Sequence, residues 1–257
     1  MITVKRVLRS NMDAKQVLLK VDNLRFRWPS GQRDVLDIPK FEVLSGEGVF
    51  IKGESGTGKT TLLSLIGGIN LPDAGCIEVL GTDISKLRQS RRDHFRADHI
   101  GFIFQLFNLI PYLSVIENIT LACKFSKLRT QRVLAKSGSL EEEAYRLLSQ
   151  LQLNDRSMLT RKVSDLSVGQ QQRVAAARAL IGSPELIIAD EPTSALDADT
   201  REHFIQLLLE ECKQSGATIL FVSHDAGLEA AFDRSIQLGE LNRACEQSSN
   251  KGQEAVL

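Results

Sequence analysis

The chain has 257 residues, of which 42% are apolar, and it carries 32 acidic and 32 basic side chains. This composition predicts a globular protein with a substantial core, in one large domain or two smaller ones. The neutral balance lacks the basic excess that favours nucleic-acid binding, so no nucleic-acid partner is expected. The four cysteines are widely scattered without paired metal-ligand spacing, which predicts reduced thiols and neither a disulfide nor a zinc site.

The hydropathy pattern gives no sign of a membrane-spanning segment. No window approaches the run of about 20 apolar residues that a spanning helix requires, and the first residues lack the apolar stretch of a signal peptide. We therefore expect that the chain is not itself embedded in a membrane. Any action at a membrane would then require a second polypeptide that supplies the span.

The first part of the chain predicts an arm followed by strands. Residues 1–16 are polar and weakly periodic, which predicts a flexible N-terminal arm. From Val17 the alternation of apolar and polar residues predicts a half-buried strand that ends near Trp28, before a Pro-Ser-Gly turn. Trp28 is interpreted either as a core anchor or as a flat surface on which an adenine ring stacks. The segments 35–38 and 40–44 predict two short strands joined by a proline.

The next segment fits the phosphate-binding pattern G-x-x-x-x-G-K-[ST], with a strand pattern before it and a buried-helix pattern after it. Its glycines let backbone N–H groups close around an anion at the positive end of the following helix. Lys59 would reach the β- and γ-phosphates of a nucleotide, Thr60 would bind Mg²⁺ and Thr61 would bind the α-phosphate. The predicted nucleotide-binding loop consists of Gly53, Glu54, Ser55, Gly56, Thr57, Gly58, Lys59, Thr60 and Thr61.

Strand and helix patterns alternate after this loop. Residues 76–80 predict a strand, and residues 85–96 predict a charged helix whose basic side chains form a solvated face or contact phospholipid headgroups or a partner. The apolar run 100–104 predicts a buried strand that delivers Gln105 at its end. Residues 106–166 predict an inserted helical subdomain. Two capping boxes support it, at Ser114 with Glu117 and at Ser139 with Glu142.

Three polar side chains follow two apolar runs that predict buried strands of a parallel sheet. The run 186–189 ends at Asp190 and Glu191, and His224 follows the run 218–222. Ligands bind at the carboxyl ends of such strands. Asp190 would then hold Mg²⁺ with its water shell, and Glu191 would deprotonate the attacking water. His224 would contact the γ-phosphate, with a purely structural histidine as the alternative.

Gln105 stands at a comparable place, after the run 100–104. It would coordinate Mg²⁺ or water through its amide oxygen. The alternation of strands and helices predicts an α/β core with a largely parallel sheet.

The stretch Leu166-Ser167-Val168-Gly169-Gln170-Gln171-Gln172-Arg173 opens a predicted helix that runs to about Ile181. Its hydroxyl and free N–H groups would form a second anion-binding surface. Here the sequence resembles an ABC-transporter ATPase, and the resemblance extends from about Val17 to Leu241. It implies that Ser167, Val168, Gly169 and Gln170 cover the γ-phosphate held by a second copy of the chain, so that two ATP molecules lie within a head-to-tail dimer.

The resemblance also implies the domain organisation. It implies an ABC ATPase domain over 17–241, with a P-loop core of mainly parallel sheet, an N-terminal antiparallel β-subdomain and the inserted helical subdomain at about 106–166. Residues 242–257 are polar and are interpreted as a frayed tail. The stretch Ser194-Ala195-Leu196-Asp197 looks like the family's loop that joins the two nucleotide sites.

One departure from the family pattern concerns Val168, which replaces the first glycine of the usual L-S-G-G-Q. A β-branched residue stiffens a loop and does not adopt a positive φ cheaply. We expect an effect on the rate of closure rather than on the identity of the site. The segment 101–118 is similar to the branch that contains macrolide-exporter and lipoprotein-release ATPases.

The resemblance implies an ATPase with ATP and Mg²⁺ as ligands, peripheral at the cytoplasmic face of the membrane. It would dimerise on ATP and drive a separate transmembrane permease subunit, in export, lipoprotein release or mechanotransmission. The contact with that subunit is expected near Gln105 and residues 106–118. An ATP-dependent regulatory module that controls a membrane partner without transport uses the same residues and stays open. A role in DNA repair or translation is disfavoured because the inserted region is short and the chain has one cassette.

Overall fold

The computed structural model describes residues 16–31, 33–194 and 196–245. The predicted arm lies outside these ranges except for Gln16, as do Ala195 and residues 246–257 of the predicted tail. The strands of the described part are β1 (Val17–Phe26), β2 (Leu36–Leu44), β3 (Gly48–Lys52), β4 (Ala74–Val79), β5 (Thr82–Asp83), β6 (Ile100–Ile103), β7 (Leu186–Asp190), β8 (Thr218–Ser223) and β9 (Arg234–Gln237). Its α-helices are α1 (Lys59–Ile66), α2 (Gln89–His99), α3 (Val115–Phe125), α4 (Lys127–Ser137), α5 (Leu140–Gln150), α6 (Val168–Leu180), α7 (Ala198–Ser215) and α8 (Leu238–Leu241).

The first sheet is antiparallel and has the strand order β2-β1-β4-β5. The prediction of two short strands around Pro39 is wrong, because β2 is one strand that runs through this residue. Since β2 is an edge strand that pairs only with β1, the sheet tolerates a proline without an N–H group there.

The second sheet is parallel and has the order β6-β7-β8-β3-β9, which confirms the predicted α/β core. Its side chains alternate between two cores, as the strand period requires. Phe50 packs with the helical region on one face, whereas Val49 and Ile51 pack with the antiparallel sheet on the other. Because the strands are parallel, the segments after β3, β6, β7 and β8 all emerge at one edge of the sheet.

The charged helix predicted over 85–96 is in fact a short 3-10 turn, Ile84–Lys86, followed by α2. Asp83 caps the turn by accepting a hydrogen bond of 3.0 Å from the N–H of Ser85. Leu87 and Arg88 then take extended conformations, which separates the turn from the helix.

The region between β6 and α6, where the sequence predicts a helical subdomain, contains three α-helices. None of the described helices is both long and apolar enough to cross a membrane. The capping box at Ser114 is complete. At Ser139 only half of it forms, since the Ser139 hydroxyl accepts from the N–H of Glu142 at 3.1 Å. The Glu142 carboxylate pairs with Arg156 instead.

Asn242, the first residue of the predicted tail, is fully buried. Its amide donates to the carbonyl oxygens of Val35 at 2.9 Å and Thr57 at 3.3 Å, and its oxygen accepts from the N–H of Asp37 at 2.8 Å. These bonds fasten the end of the described chain to β2 and to the phosphate loop. The start of the predicted tail is therefore packed rather than frayed.

Candidate functional site

The loop between β3 and α1 has the backbone that the phosphate-binding pattern requires. Gly56 and Gly58 have φ values of 84° and 96°, in the left-handed region that other residues rarely occupy. Helix α1 begins at Lys59 without a side-chain cap and without an acidic residue in its first turn. Its first N–H groups are therefore available to an anion at the positive end of the helix.

The buried Lys59 side chain lies across this loop. Its Nζ donates to the carbonyl oxygens of Gly53 at 2.8 Å and Glu54 at 2.9 Å, and it lies 3.9 Å from Oε1 of Glu191. These acceptors hold the ammonium group between the loop and the end of β7. Lys59 thus occupies the position from which it can neutralise phosphate charge.

Asp190 ends β7, and its carboxyl group receives a hydrogen bond from Thr60 of the phosphate loop. Burial and the neighbouring Glu191 raise the pKa of Asp190, while the Thr60 hydrogen bond and the Lys59 charge act in the opposite direction. A desolvated carboxylate gains from a cation beside it. The hydroxyl and carboxylate oxygens fit Mg²⁺, which takes one or two protein carboxylates together with substrate phosphates.

Glu191 has a φ of 44°, which places a non-glycine residue in the left-handed region. Its backbone N–H donates to the carbonyl oxygen of Val222 at 2.9 Å, which ties it to β8. Oε2 of Glu191 lies 3.3 Å from Nδ1 of His224, so the structure brings these two predicted residues together. Such strained backbone conformations cost about 1–3 kcal/mol and persist only where the surrounding structure enforces them.

A cavity of about 530 Å³ lies against the phosphate loop and Glu191, whereas Asp190 and His224 do not line it. The predicted site residues in its wall are Trp28, Ser55, Gly56, Gly58, Lys59, Thr60, Thr61, Gln105 and Glu191. Trp28 is 42% exposed, so it is not a buried core anchor. Its ring packs edge-on against Phe26, with 4.9 Å between the two ring centroids. Val35 also lines the cavity. Its place in the segment after the Pro-Ser-Gly turn is its one feature in the sequence, and no motif marks it as a site residue.

Ser167 caps α6 with a complete capping box. Its hydroxyl accepts from the N–H of Gln170 at 3.3 Å, and the Gln170 amide oxygen accepts from the N–H of Ser167 at 3.0 Å. Ser167 is exposed, Val168 is 49% exposed, and neither they nor Gly169 and Gln170 line the cavity around the phosphate loop. A single chain therefore does not bring the two predicted anion-binding surfaces into one cavity.

Val168 is the first helical residue of α6 and does not have a positive φ. The argument from a positive φ therefore does not apply to Val168, and the expected effect on the rate of closure stays a prediction. A β-branched residue in the first turn of a helix pays only its small loss of side-chain freedom.

Arg178 is a contact that sequence patterns missed. It extends from α6 and donates to the carbonyl oxygens of Phe107 and Asn108, each at 2.6 Å. These two residues follow Gln105 and have φ values of 59° and 49°. A left-handed turn without glycine has no sequence signature, so only the structure connects α6 with this loop.

The phosphate loop, the carboxylates at the end of β7 and the histidine after β8 together define a P-loop nucleotide hydrolase. The family model described as ABC transporter matches residues 36–194, and the chain belongs to this family. It is an ATP-hydrolysing cassette, with the predicted ABC ATPase fold.

Relatives support the same conclusion. The chain is 38% identical to the lipoprotein-releasing system ATP-binding protein LolD of Syntrophotalea carbinolica over 231 residues, which cover 89% of this chain and 98% of that protein. It is 39% identical to the macrolide export ATP-binding/permease protein MacB of Vibrio parahaemolyticus over 225 residues, which cover 86% of this chain and 33% of that protein. The predicted resemblance to these two groups is confirmed.

A solved structure agrees with the fold. The dimeric ATP-binding cassette MJ0796, in a post-hydrolysis state bound to ADP and Pi, superposes with a TM-score of 0.74 at 32% identity and covers 86% of this chain and 95% of that chain.

Proposed function

We propose that this chain is the Mg²⁺-dependent ATPase subunit of an ABC transporter, which dimerises head to tail on ATP and drives a separate transmembrane permease subunit. The observation that carries the proposal is the placement of Lys59, Gln105 and Glu191 in one cavity with the phosphate loop, while Ser167 lies outside it. One chain supplies a phosphate site and a separate helix start that also suits an anion. Two chains are therefore needed, so that the helix start of one chain covers the phosphate site of the other.

Each predicted residue has a role in this reaction. Residues 53–61 hold the phosphates, and Lys59 neutralises the β- and γ-phosphates. Glu191 takes a proton from the attacking water, and His224 fixes that carboxylate and contacts the γ-phosphate. Trp28 stacks on the adenine ring. Thr60, Asp190 and Gln105 would hold Mg²⁺, which would neutralise charge on the phosphate oxygens.

The second copy contributes residues 167–170 at the exposed start of α6. Its capping box leaves the other N–H groups of the first turn free, since the helix has no acidic residue there. The dimeric state of MJ0796 supports this arrangement. ATP then shifts the equilibrium towards the dimer, and hydrolysis of ATP shifts it back towards the separate chains.

The contact with the permease lies beside Gln105. Leu106 and Tyr112 are 83% and 75% exposed, which is unusual for large apolar side chains so close together in the chain. A groove of about 410 Å³ lies beside Phe104, and its mainly apolar wall includes Phe104 and Phe125 together with charged side chains such as Arg96 and Arg178. An apolar segment of a membrane protein fits this groove, and its contact would place the subunit peripherally at the cytoplasmic face of the membrane.

The test uses Glu191→Gln, which keeps the phosphate site but removes the general base. Its kcat is expected to fall by about 10²–10⁴-fold. Sedimentation should show a dimer with ATP and Mg²⁺ and a monomer with ADP. Lys59→Ala serves as the control that stays monomeric because it binds ATP poorly. Hydrolysis by Glu191→Gln at the parent rate, or a monomer that is saturated with ATP, would contradict the proposal.

A further inference from the structure

Arg201 links two loops at the reaction centre. It lies in the first turns of α7, and its Nη2 donates to the carbonyl oxygen of Leu196 at 3.0 Å. Its Nη1 donates to the Asp225 carboxylate. Leu196 belongs to the loop that leaves β7 after Glu191, and Asp225 is the residue after His224. The guanidinium of Arg201 therefore connects the segment after β7 with the segment after β8.

Asp225 is a rigid anchor for this bridge. Its N–H donates to the hydroxyl of Ser223 at 3.1 Å, and Oδ1 accepts from the N–H of Gly227 at 3.0 Å. The remaining oxygen, Oδ2, receives Arg201. All three bonds fix the backbone on either side of His224.

His224 depends on this backbone because its side chain has little else to hold it. The side chain is 66% exposed, and its one hydrogen-bond partner among the described residues is Glu191 at 3.3 Å. Its position relative to Glu191 is therefore set by the two residues beside it, Ser223 and Asp225. A shift of Asp225 would change the distance between the imidazole and the Glu191 carboxylate.

Arg201 also lies at a small cavity beside Glu191 and His224. It lines a cavity of about 40 Å³ together with Glu191, Ser194 and His224. Its Nε is buried and has no hydrogen-bond partner among the described residues. An unsatisfied buried donor carries a desolvation cost, so the two bonds of the terminal nitrogens hold the side chain in this orientation against that cost.

We propose that Arg201 is a positioning residue, which through Asp225 holds His224 against Glu191 and ties this geometry to the loop at Leu196. The inference rests on the proposed function, because that loop would face the second copy of the chain. Movement of the loop on dimerisation is then passed to His224 through a single side chain. In this role Arg201 acts through Asp225, and no contact with the nucleotide or the reacting water is assigned to it.

The test compares Arg201→Met, Arg201→Lys and Asp225→Asn, with Lys213→Met as the control for loss of an exposed cation on the same helix. Arg201→Met is expected to lower kcat by about 10–100-fold, as small misplacements of catalytic groups do, with a change of less than about twofold in the KM for ATP. Arg201→Lys should recover part of the loss, because an ammonium reaches one of the two acceptors. Lys213→Met should keep the parent kcat.

A double variant separates positioning from general destabilisation. If Arg201 acts through Asp225, Arg201→Met combined with Asp225→Asn loses no more kcat than the worse single variant. All rates are measured per folded active site, with melting temperatures recorded alongside. A parent-like kcat for Arg201→Met, a loss that only follows the folded fraction, or additive losses in the double variant would overturn the inference.

The proposed function is judged separately in the same series. If the parent chain hydrolyses ATP and dimerises on ATP while Arg201→Met behaves like the parent, only the role of Arg201 is wrong. If the parent chain does not dimerise, the proposed function itself fails.

Discussion

The guanidinium of Arg178 donates to the carbonyl oxygen of Phe107 over 2.6 Å and so joins the helix that begins at Ser167 to the loop that follows Gln105. A second bond of 2.6 Å reaches Asn108. Both loop residues have left-handed backbones, which costs about 1–3 kcal/mol for each non-glycine residue. The charged donor satisfies two carbonyl oxygens of this strained turn and holds it in place.

Replacement of Arg178 by Met should release the turn. Hydrogen bonds from charged groups contribute about 1.5–3 kcal/mol, so we expect the free energy of unfolding to fall by about that amount. Amide exchange in residues 105–112 should also become faster, which mass spectrometry would detect. Arg91→Met is the matched control, since Arg91 is exposed and makes no hydrogen bond or ion pair within the described residues. Unchanged exchange in Arg178→Met would show that the turn does not depend on this side chain.

Gly101 marks a close approach between β6 and the end of α6. A Cβ atom at this position would lie 2.2 Å from the carbonyl oxygen of Ala179, a backbone atom that cannot move aside. We expect Gly101→Ala to reduce the free energy of unfolding by about 1–3 kcal/mol, as overpacked cores do. Urea denaturation measures this change. Gly239→Ala is the control, because open space surrounds the added methyl group and stability should stay nearly unchanged. Equal stability of the two variants would show that β6 and α6 are not closely packed at Gly101.

Glu185 makes the fold sensitive to acid. Burial alone raises the pKa of its carboxyl group, but hydrogen bonds with His99 and Arg132 outweigh burial and bring the pKa from 4.5 down to about 2. The folded state therefore gains stability from the ionised form above pH 4.5, and this gain is lost as the pH falls towards 2. At about 1.4 kcal/mol per pKa unit, a shift from 4.5 to about 2 corresponds to a gain of about 3.5 kcal/mol.

Urea denaturation at pH 7 and pH 3 tests this prediction. Glu185→Gln should be less stable than the parent chain at pH 7, and the difference should shrink at pH 3. The exposed Glu210, whose replacement by Gln should show no such dependence, provides the control. A stability difference that is the same at both pH values would contradict the role of the Glu185 ion pairs.

Sequence patterns predicted the parts of the site that depend on local rules. The phosphate loop needs glycine at positions with positive φ, and Asp190 ends an apolar run that is typical of a buried strand. Patterns failed where two distant segments meet. The continuous β2 strand through Pro39 depends on its place at the sheet edge, and the bonds of Asn242 depend on chain packing.

The bridges made by Arg178 and Arg201 belong to this second kind. Arg178 contacts residues about 70 positions earlier in the chain, and Arg201 contacts Asp225, 24 positions later. Neither arginine lies in a periodic or motif-like context. An arginine on a helix is ordinarily a solvated residue, so its carbonyl acceptors become visible only when the fold is known. The left-handed backbone of Glu191 likewise has no signal in its residue type, and it accompanies a hydrogen bond to Val222 of the neighbouring strand.

Hydrolysis of each nucleotide between two copies of the chain can be tested by mixing two inactive variants. Glu191→Gln lacks the general base, and Ser167→Arg blocks the helix start that covers the partner's nucleotide. In a mixed dimer one site carries both defects and the other carries none. ATP hydrolysis should therefore return on mixing equal amounts, to about a quarter of the parent rate for random two-fold pairing. If the mixture shows only the summed residual rates of the two variants, the reaction centre lies within one chain and the claim is wrong.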